Sequence, residues 1–286
     1  MQMLGSVVSL VALVATSASP RPSPRARAMD APPRAAHGAP STVVITATDY
    51  AFTGMPATVA AGWVTIRMVN RGHELHMFAT ANVPHGYTVA SVTDSMLHDG
   101  HLPDDMREWG GPNAVAPGDT GTVTMYLPAG EYVVGCFVES PDGKTHFVKG
   151  MMSSFRVAQT SSRAGAPSSA HVVTLSTYAI AMTGPAIRPG IDTLRVHNTA
   201  KERHDLVVLR VEPGHSVADA LAWFTRAPAG KGIATPVAGT TGLHTGEDAF
   251  VSGHFTPGTY VLVCWMSTNG KMHFQLGMKH VFTVAS

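Results

Sequence analysis

The chain has 286 residues, 44% of them hydrophobic and 14% charged, with a formal net charge of +1. That is enough apolar material for two modest cores, and it lacks the positive field that nucleic-acid binding requires. The only cysteines are Cys136 and Cys264, which in an exported protein would by default form one disulfide.

Residues 1–18 carry no charge and hold an apolar run from Leu4 to Ala15, with small residues at Ala15, Ser17 and Ala18. This is the pattern of a signal peptide without its usual positive start. The run is short for a bilayer span of ~20 residues, and no cysteine follows to carry a lipid. The expectation is an exported protein, periplasmic or secreted, with no stable membrane insertion after cleavage. Residues 19–40 form a Pro/Arg/Ala-rich tether that includes Arg21, Arg25, Arg27 and Arg34.

From residue 41 the chain repeats itself. VNRGHELH and HNTAKERH share Asn-x3-Glu-x-His through Asn70, Glu74 and His76, then Asn198, Glu202 and His204. GEYVVGC and GTYVLVC share Gly-x-Tyr-x3-Cys, ending at Cys136 and Cys264. HFVKGM and HFQLGM share His-Phe-x2-Gly-Met, from His146 to Met151 and from His273 to Met278. The offset is 128 residues for the first two motifs and 127 for the third. We therefore expect one domain over 41–158, a small polar linker over 159–170 and a second domain over 171–286.

Within each copy the runs are β-branched and punctuated by Gly and Pro. TVVITATDYAF, WVTIRMVN, TGTVTMYL, EYVVGCFV and SSFRV read as strands of the first. HVVTLSTYAIAM, DTLRVHN, DAFVSGHF, TYVLVCWM and HVFTV read as strands of the second. TVASVTDSML and SVADALAWFT place an apolar residue every three or four positions, which predicts one short helix in each copy. The expected fold is all-β: two tandem Greek-key β-sandwiches, each with a short helical insertion.

The repeated motifs deliver His76, Cys136, His146 and Met151 in one copy and His204, Cys264, His273 and Met278 in the other. A thiolate, two imidazoles and a weak thioether are the donor set of one blue copper ion; zinc prefers four firm ligands without Met. With one cysteine in each set, a Cys136–Cys264 disulfide is disfavoured. HELH at His73–His76 falls one residue short of a zinc-protease HExxH, and His73 reads as a solvent-facing loop residue. Glu74 and Glu202 either orient the neighbouring His76 and His204 or solvate a loop. The insertion with His85, Met96, His98, His101 and Met106 reads as a cap on one end of its sandwich.

With those residues assembled, nearly all of both copies resembles the cupredoxin family. The resemblance lies in Gly-x-Tyr-x3-Cys at Gly130–Cys136 and Gly258–Cys264, then a His, Gly-Met and a last strand (HFVKGMMSSFRV, HFQLGMKHVFTV). It implies type-1-like copper, one ion per domain, bound by those eight residues. Nine residues separate Cys136 from His146 and eight separate Cys264 from His273. That loop is longer than in plastocyanin-like members and similar to the type 1 loop of two-domain copper nitrite reductases. The shorter spacing makes the second copy the safer of the two. In such enzymes and in multicopper oxidases a His beside the ligand Cys and His-x-His pairs hold catalytic copper. Here Gly135 and Val263 precede the cysteines and no His-x-His occurs, so the expectation is no enzyme but an electron carrier with a redox partner protein. The alternatives are copper storage or delivery with a copper donor or acceptor, and an interaction module without metal.

Overall fold

Period-two alternation builds the first strand. In Ser41–Thr48 (β1) Val43, Ile45 and Ala47 are buried while Ser41, Thr42 and Val44 are exposed, as a half-buried strand requires. The computed structural model describes residues 38–98, 103, 106–225 and 232–286; the leader expected at 1–18, nearly all of the 19–40 tether, and His101 lie outside the described residues.

The first half continues with β2 (Ala51–Thr53), β3 (Thr58–Asn70), β4 (Ala79–Asn82), helix α1 (Val89–His98), β5 (Thr120–Leu127), β6 (Gly130–Gly135) and β7 (Met152–Ser161). The second half has β8 (His171–Ser176), β9 (Ala179–Thr183), β10 (Gly190–Asn198), β11 (His204–Val211), helix α2 (Val217–Phe224), β12 (Ala234–Leu243), β13 (Asp248–Phe255) and β14 (Gly258–Val263). It closes with a small hairpin, β15 (Ser267–Thr268) and β16 (Lys271–Met272), and with β17 (Lys279–Val284). Both helices fall where the apolar spacing predicts them. No helix among the described residues is long and apolar enough to cross a membrane.

Each half is a two-layer sandwich. β2, β1, β3 and β5 form one layer of the first half, and β4, β6 and β7 the other, with β7 also pairing the start of β3. The second half sets β9, β8, β10 and β13 against β12, β11, β14 and β17. The chain passes from β3 to β4 to β5 to β6, alternating between layers, which gives the expected Greek-key connectivity. Ile45, Ile66, Met68, Val123, Phe78, Tyr132, Val134 and Phe155 of the first half and Val173, Leu194, Val251, Leu206, Tyr260 and Leu262 of the second belong to one continuous apolar core. β5 also pairs antiparallel with β13, Val123 opposite Val251, so one sheet runs through both halves. Trp63 packs edge-on against Tyr126 and Phe250 across that seam.

The Tyr of each Gly-x-Tyr motif has a structural task. Tyr132 donates its hydroxyl to Pro128 O and Tyr260 to Thr256 O, each at 2.8 Å, which ties down the corner before the strand. Tyr132, Val134 and Cys136 then share one inward face by strand alternation, as do Tyr260, Leu262 and Cys264. The motif thus delivers a cysteine to the end of a buried strand. Neither cysteine is in a disulfide.

Candidate metal centres

Cys136 follows β6, and the turn that carries His146 folds back onto it. Phe147 N donates to Cys136 O (2.7 Å), Met151 N to His146 O (2.9 Å) and Cys136 N to Met151 O (3.2 Å). The second half repeats this turn: Phe274 N to Cys264 O (3.1 Å), Met278 N to His273 O (3.0 Å) and Cys264 N to Met278 O (3.4 Å). Cys, His and Met are therefore held together by main-chain bonds, and Met151 and Met278 are fully buried beside them.

The remaining imidazole arrives with the neighbouring strand of the same layer, since β4 pairs with β6 and β11 with β14. His76 pairs its backbone with Val115, and His204 opens β11. Asn70, fully buried at the end of β3, shapes the approach: its Nδ2 donates to Glu74 O (2.8 Å) and Val115 O (2.9 Å), and its Oδ1 accepts from Gly72 N (2.8 Å). Asn198 makes the same three bonds to Glu202 O, Leu243 O and Ala200 N at 2.8, 2.8 and 2.9 Å. The repeated Asn of the sequence motif is thus the brace of the ligand loop.

These elements converge on two donor triangles. In the first, His76 Nδ1 and His146 Nδ1 are 3.1 Å apart, and Cys136 Sγ lies 3.9 and 3.4 Å from them. In the second, His204 Nδ1 and His273 Nδ1 are 3.0 Å apart, with Cys264 Sγ at 3.6 and 3.4 Å. All six residues are buried, and they are the two His/Cys groups among the described residues able to hold an ion. Bonds of ~2.0–2.1 Å to nitrogen and ~2.3 Å to sulfur, spread over trigonal angles, separate donors by roughly these distances.

Hydrogen bonding suits the first triangle to a cation. His76 Nε2 is 3.2 Å from Asp49 Oδ1, and His146 Nε2 is 3.0 Å from Glu74 Oε2. Burial would raise both carboxyls, but hydrogen bonds outweigh it: those from His73, Glu74 and His76 hold Asp49 below its usual range, and those from His146, Tyr50 and Ser140 do so for Glu74. An ionised carboxylate only accepts, so each Nε2 carries the hydrogen. Both Nδ1 lone pairs then face each other and the sulfur, an arrangement that an ion accepting all three resolves. Two imidazoles, a soft sulfur and a nearby thioether fit copper.

Burial governs the charge state of the metal-free ligands. It pushes the Cys136 thiol up to about 12, against the N–H groups of Met77 and Val138 that favour the thiolate. Cys264 is raised further, by burial and then by the Asp205 carboxylate beside it. Burial first, and then the paired imidazole, lowers His76 and His204 from 6.5 to about 4. Between those values the unfolded chain takes up protons that the folded chain refuses, so stability falls with falling pH. Denaturant midpoints of the metal-free protein should therefore decline from pH 6.5 to pH 4; a flat profile would contradict the neutral buried imidazoles.

Glu74 does orient an imidazole, but it is that of His146, not of its chain neighbour His76. Glu202 orients none: it accepts from Thr177 Oγ1 at 3.1 Å. His73 is solvent-facing, its side chain 93% exposed, and holds Asp49 at 2.7 Å. The insertion is a cap: Met96 and Met106 pack on Val92 and Val133, and His98 bonds within its own helix. Phe137 stacks on Phe147 and Trp265 on Phe274.

Sequence reasoning missed four residues. Asp49 was hidden in the turn after β1, 27 positions from the His76 it holds. Tyr50 and Tyr178 pack edge-on against His146 and His273, with ring centroids 5.0 and 5.1 Å apart. Their signal was visible as the shared Tyr-Ala of TDYAF and STYAI. Both have positive φ, 140° and 53°, a strain of ~1–3 kcal/mol for a bulky residue that surrounding contacts must offset. Asp205, buried, accepts from Trp265 N (2.6 Å) and Asn113 Nδ2 (3.3 Å) and touches Cys264; Met77 stands at its place in the first half.

No protein-family model matches the chain, and neither does any curated protein. Solved structures do. A dithionite-reduced auracyanin from the photosynthetic bacterium Roseiflexus castenholzii is 25% identical over 42% of this chain and 99% of its own, with a TM-score of 0.31. Auracyanin A, a "blue" copper protein from Chloroflexus aurantiacus, is 24% identical over 41% of this chain and 98% of its own, with a TM-score of 0.30. A blue copper oxidase from Nitrosomonas europaea is 14% identical over 86% of this chain and 85% of its own, with a TM-score of 0.27.

Proposed function

We propose that this chain is an exported double cupredoxin that binds copper at His76, Cys136, His146 and Met151 and at His204, Cys264, His273 and Met278, and that serves in electron transfer. The observation that carries the reading is the pair of buried triangles, in which two imidazole Nδ1 atoms and one sulfur converge within 3.0–3.9 Å in each half. Bound copper supplies a one-electron Cu(II)/Cu(I) couple.

The protein's part is to hold one donor geometry for both oxidation states. Two soft sulfurs suit Cu(I) and two imidazoles suit Cu(II). The three main-chain bonds of each Cys–His–Met turn, together with the Asn70 and Asn198 braces, resist rearrangement between them. Burial of all six triangle residues excludes water as a further ligand and lets the environment set the potential. Two features support a carrier without catalysis of its own: Gly135 and Val263 precede the cysteines, and no His-x-His occurs in the sequence. The partners are then a redox protein and the donor that loads the ion. Export rests on the uncharged apolar segment at 1–18.

Cyclic voltammetry of the copper-loaded protein separates the carrier from the copper-delivery alternative. A carrier gives a reversible wave that persists over repeated cycles with copper content unchanged. Release of copper upon each reduction would replace electron transfer by delivery.

A further inference from the structure

The two triangles match, but what stands behind them does not. In the first half both imidazoles are pinned from behind by carboxylates: His76 by Asp49 and His146 by Glu74, at 3.2 and 3.0 Å. Tyr50, next to Asp49 in the turn after β1, donates its hydroxyl to Glu74 Oε1 at 2.9 Å and packs edge-on against His146. One dipeptide, Asp49-Tyr50, thus serves both ligands. In the second half the matching dipeptide is Thr177-Tyr178, placed by the same register between β8 and β9. Thr177 turns to Glu202. His273 Nε2 meets only a hydroxyl, Thr268 Oγ1 at 2.9 Å, and His204 Nε2 is buried without a partner.

A second difference explains why the carboxylate fits only one half. Gly72 lies over the Asp49–His76 contact, where an added Cβ would overlap Asp49 Oδ1 and lie 2.6 Å from His76 Nε2. The matching residue in Asn198-Thr-Ala-Lys-Glu-Arg-His204 is Ala200, which is buried. Gly72 makes room for the pin; Ala200 occupies that room. Asp205 does not replace the pin, because it faces Cys264 and not the back of His204.

We infer that Asp49, given space by Gly72, is a positioning residue that makes the first site the tighter of the two, and that the second site yields its ion first. The inference rests on the copper reading above. A partner on the far nitrogen fixes tautomer and ring plane and raises ligand basicity, and its loss commonly costs ~10–100-fold in metal affinity.

The test uses full-length chains with one site each, Cys264→Ser and Cys136→Ser, titrated with Cu(II) against a competing chelator while thiolate-to-copper absorption is followed. The Cys264→Ser chain should hold copper at least ~10-fold more tightly than the Cys136→Ser chain. Asp49→Thr or Gly72→Ala in the former should bring it toward the latter, and Asp49→Asn, which keeps an acceptor, should fall between. Thr177→Asp combined with Ala200→Gly should tighten the second site, a gain that misfolding cannot produce. Equal affinities with normal spectra, or swaps without effect, would overturn the inference and leave the copper reading standing. Chains that show no thiolate-to-copper absorption at all would overturn both.

Discussion

Replacing Cys136 by Ser should remove about half of the visible absorption of the copper-loaded protein, replacing Cys264 should remove the other half, and the double replacement should be colourless. The absorption is charge transfer from thiolate to copper, and a serine hydroxyl at the same position neither ionises near neutral pH nor offers a soft donor. Each cysteine stands alone in its triangle, 60 residues from one imidazole and ten or nine from the other. The two losses should therefore be independent. Because serine is nearly isosteric and the cysteines are not cross-linked, far-ultraviolet circular dichroism should stay unchanged. An undiminished spectrum after both replacements would remove the sulfurs from the site.

The second large effect should come from residues that touch no metal. Asn70→Ala strips the side-chain partner from Glu74 O and Gly72 N, beside a fully buried position, and one of two donors from Val115 O, which keeps His76 N. A buried polar group without a partner costs ~1–3 kcal/mol, so the two orphaned groups together should cost about 2–6 kcal/mol. In a chain of this size that corresponds to roughly 5–20 °C in Tm. The damage should be local as well as global: the brace joins the His76 loop to the Val115 segment, so copper affinity should fall at the first site and be retained at the second. Asn198→Ala should do the reverse. Thermal melts combined with copper titration of the single-site chains check both halves of the expectation, and equal loss at both sites would contradict it.

Much of this was legible because the chain says it twice. His76, Cys136 and His146 recur as His204, Cys264 and His273 at almost one offset, and the structure gathers each trio into one triangle. Strand alternation carries Tyr132 and Tyr260 inward and the cysteines with them. Apolar spacing at three and four places both helices. What stayed hidden was set by pairing between distant segments. Nothing in TATDYAF announces that Asp49 lies behind His76, since that contact forms only when β1 runs parallel beside β3. Glu74 is two residues from His76 in the chain, yet its carboxylate reaches across to His146. The pairing of β5 with β13 was equally invisible, because a strand's own pattern does not name its neighbour.

The most direct test of the central claim is addition of Cu(II) to the purified metal-free protein, followed by visible absorption and EPR. The account predicts saturation near two copper ions per chain, intense thiolate-to-copper absorption and a small parallel hyperfine splitting. A colourless protein that fails to retain copper would contradict it.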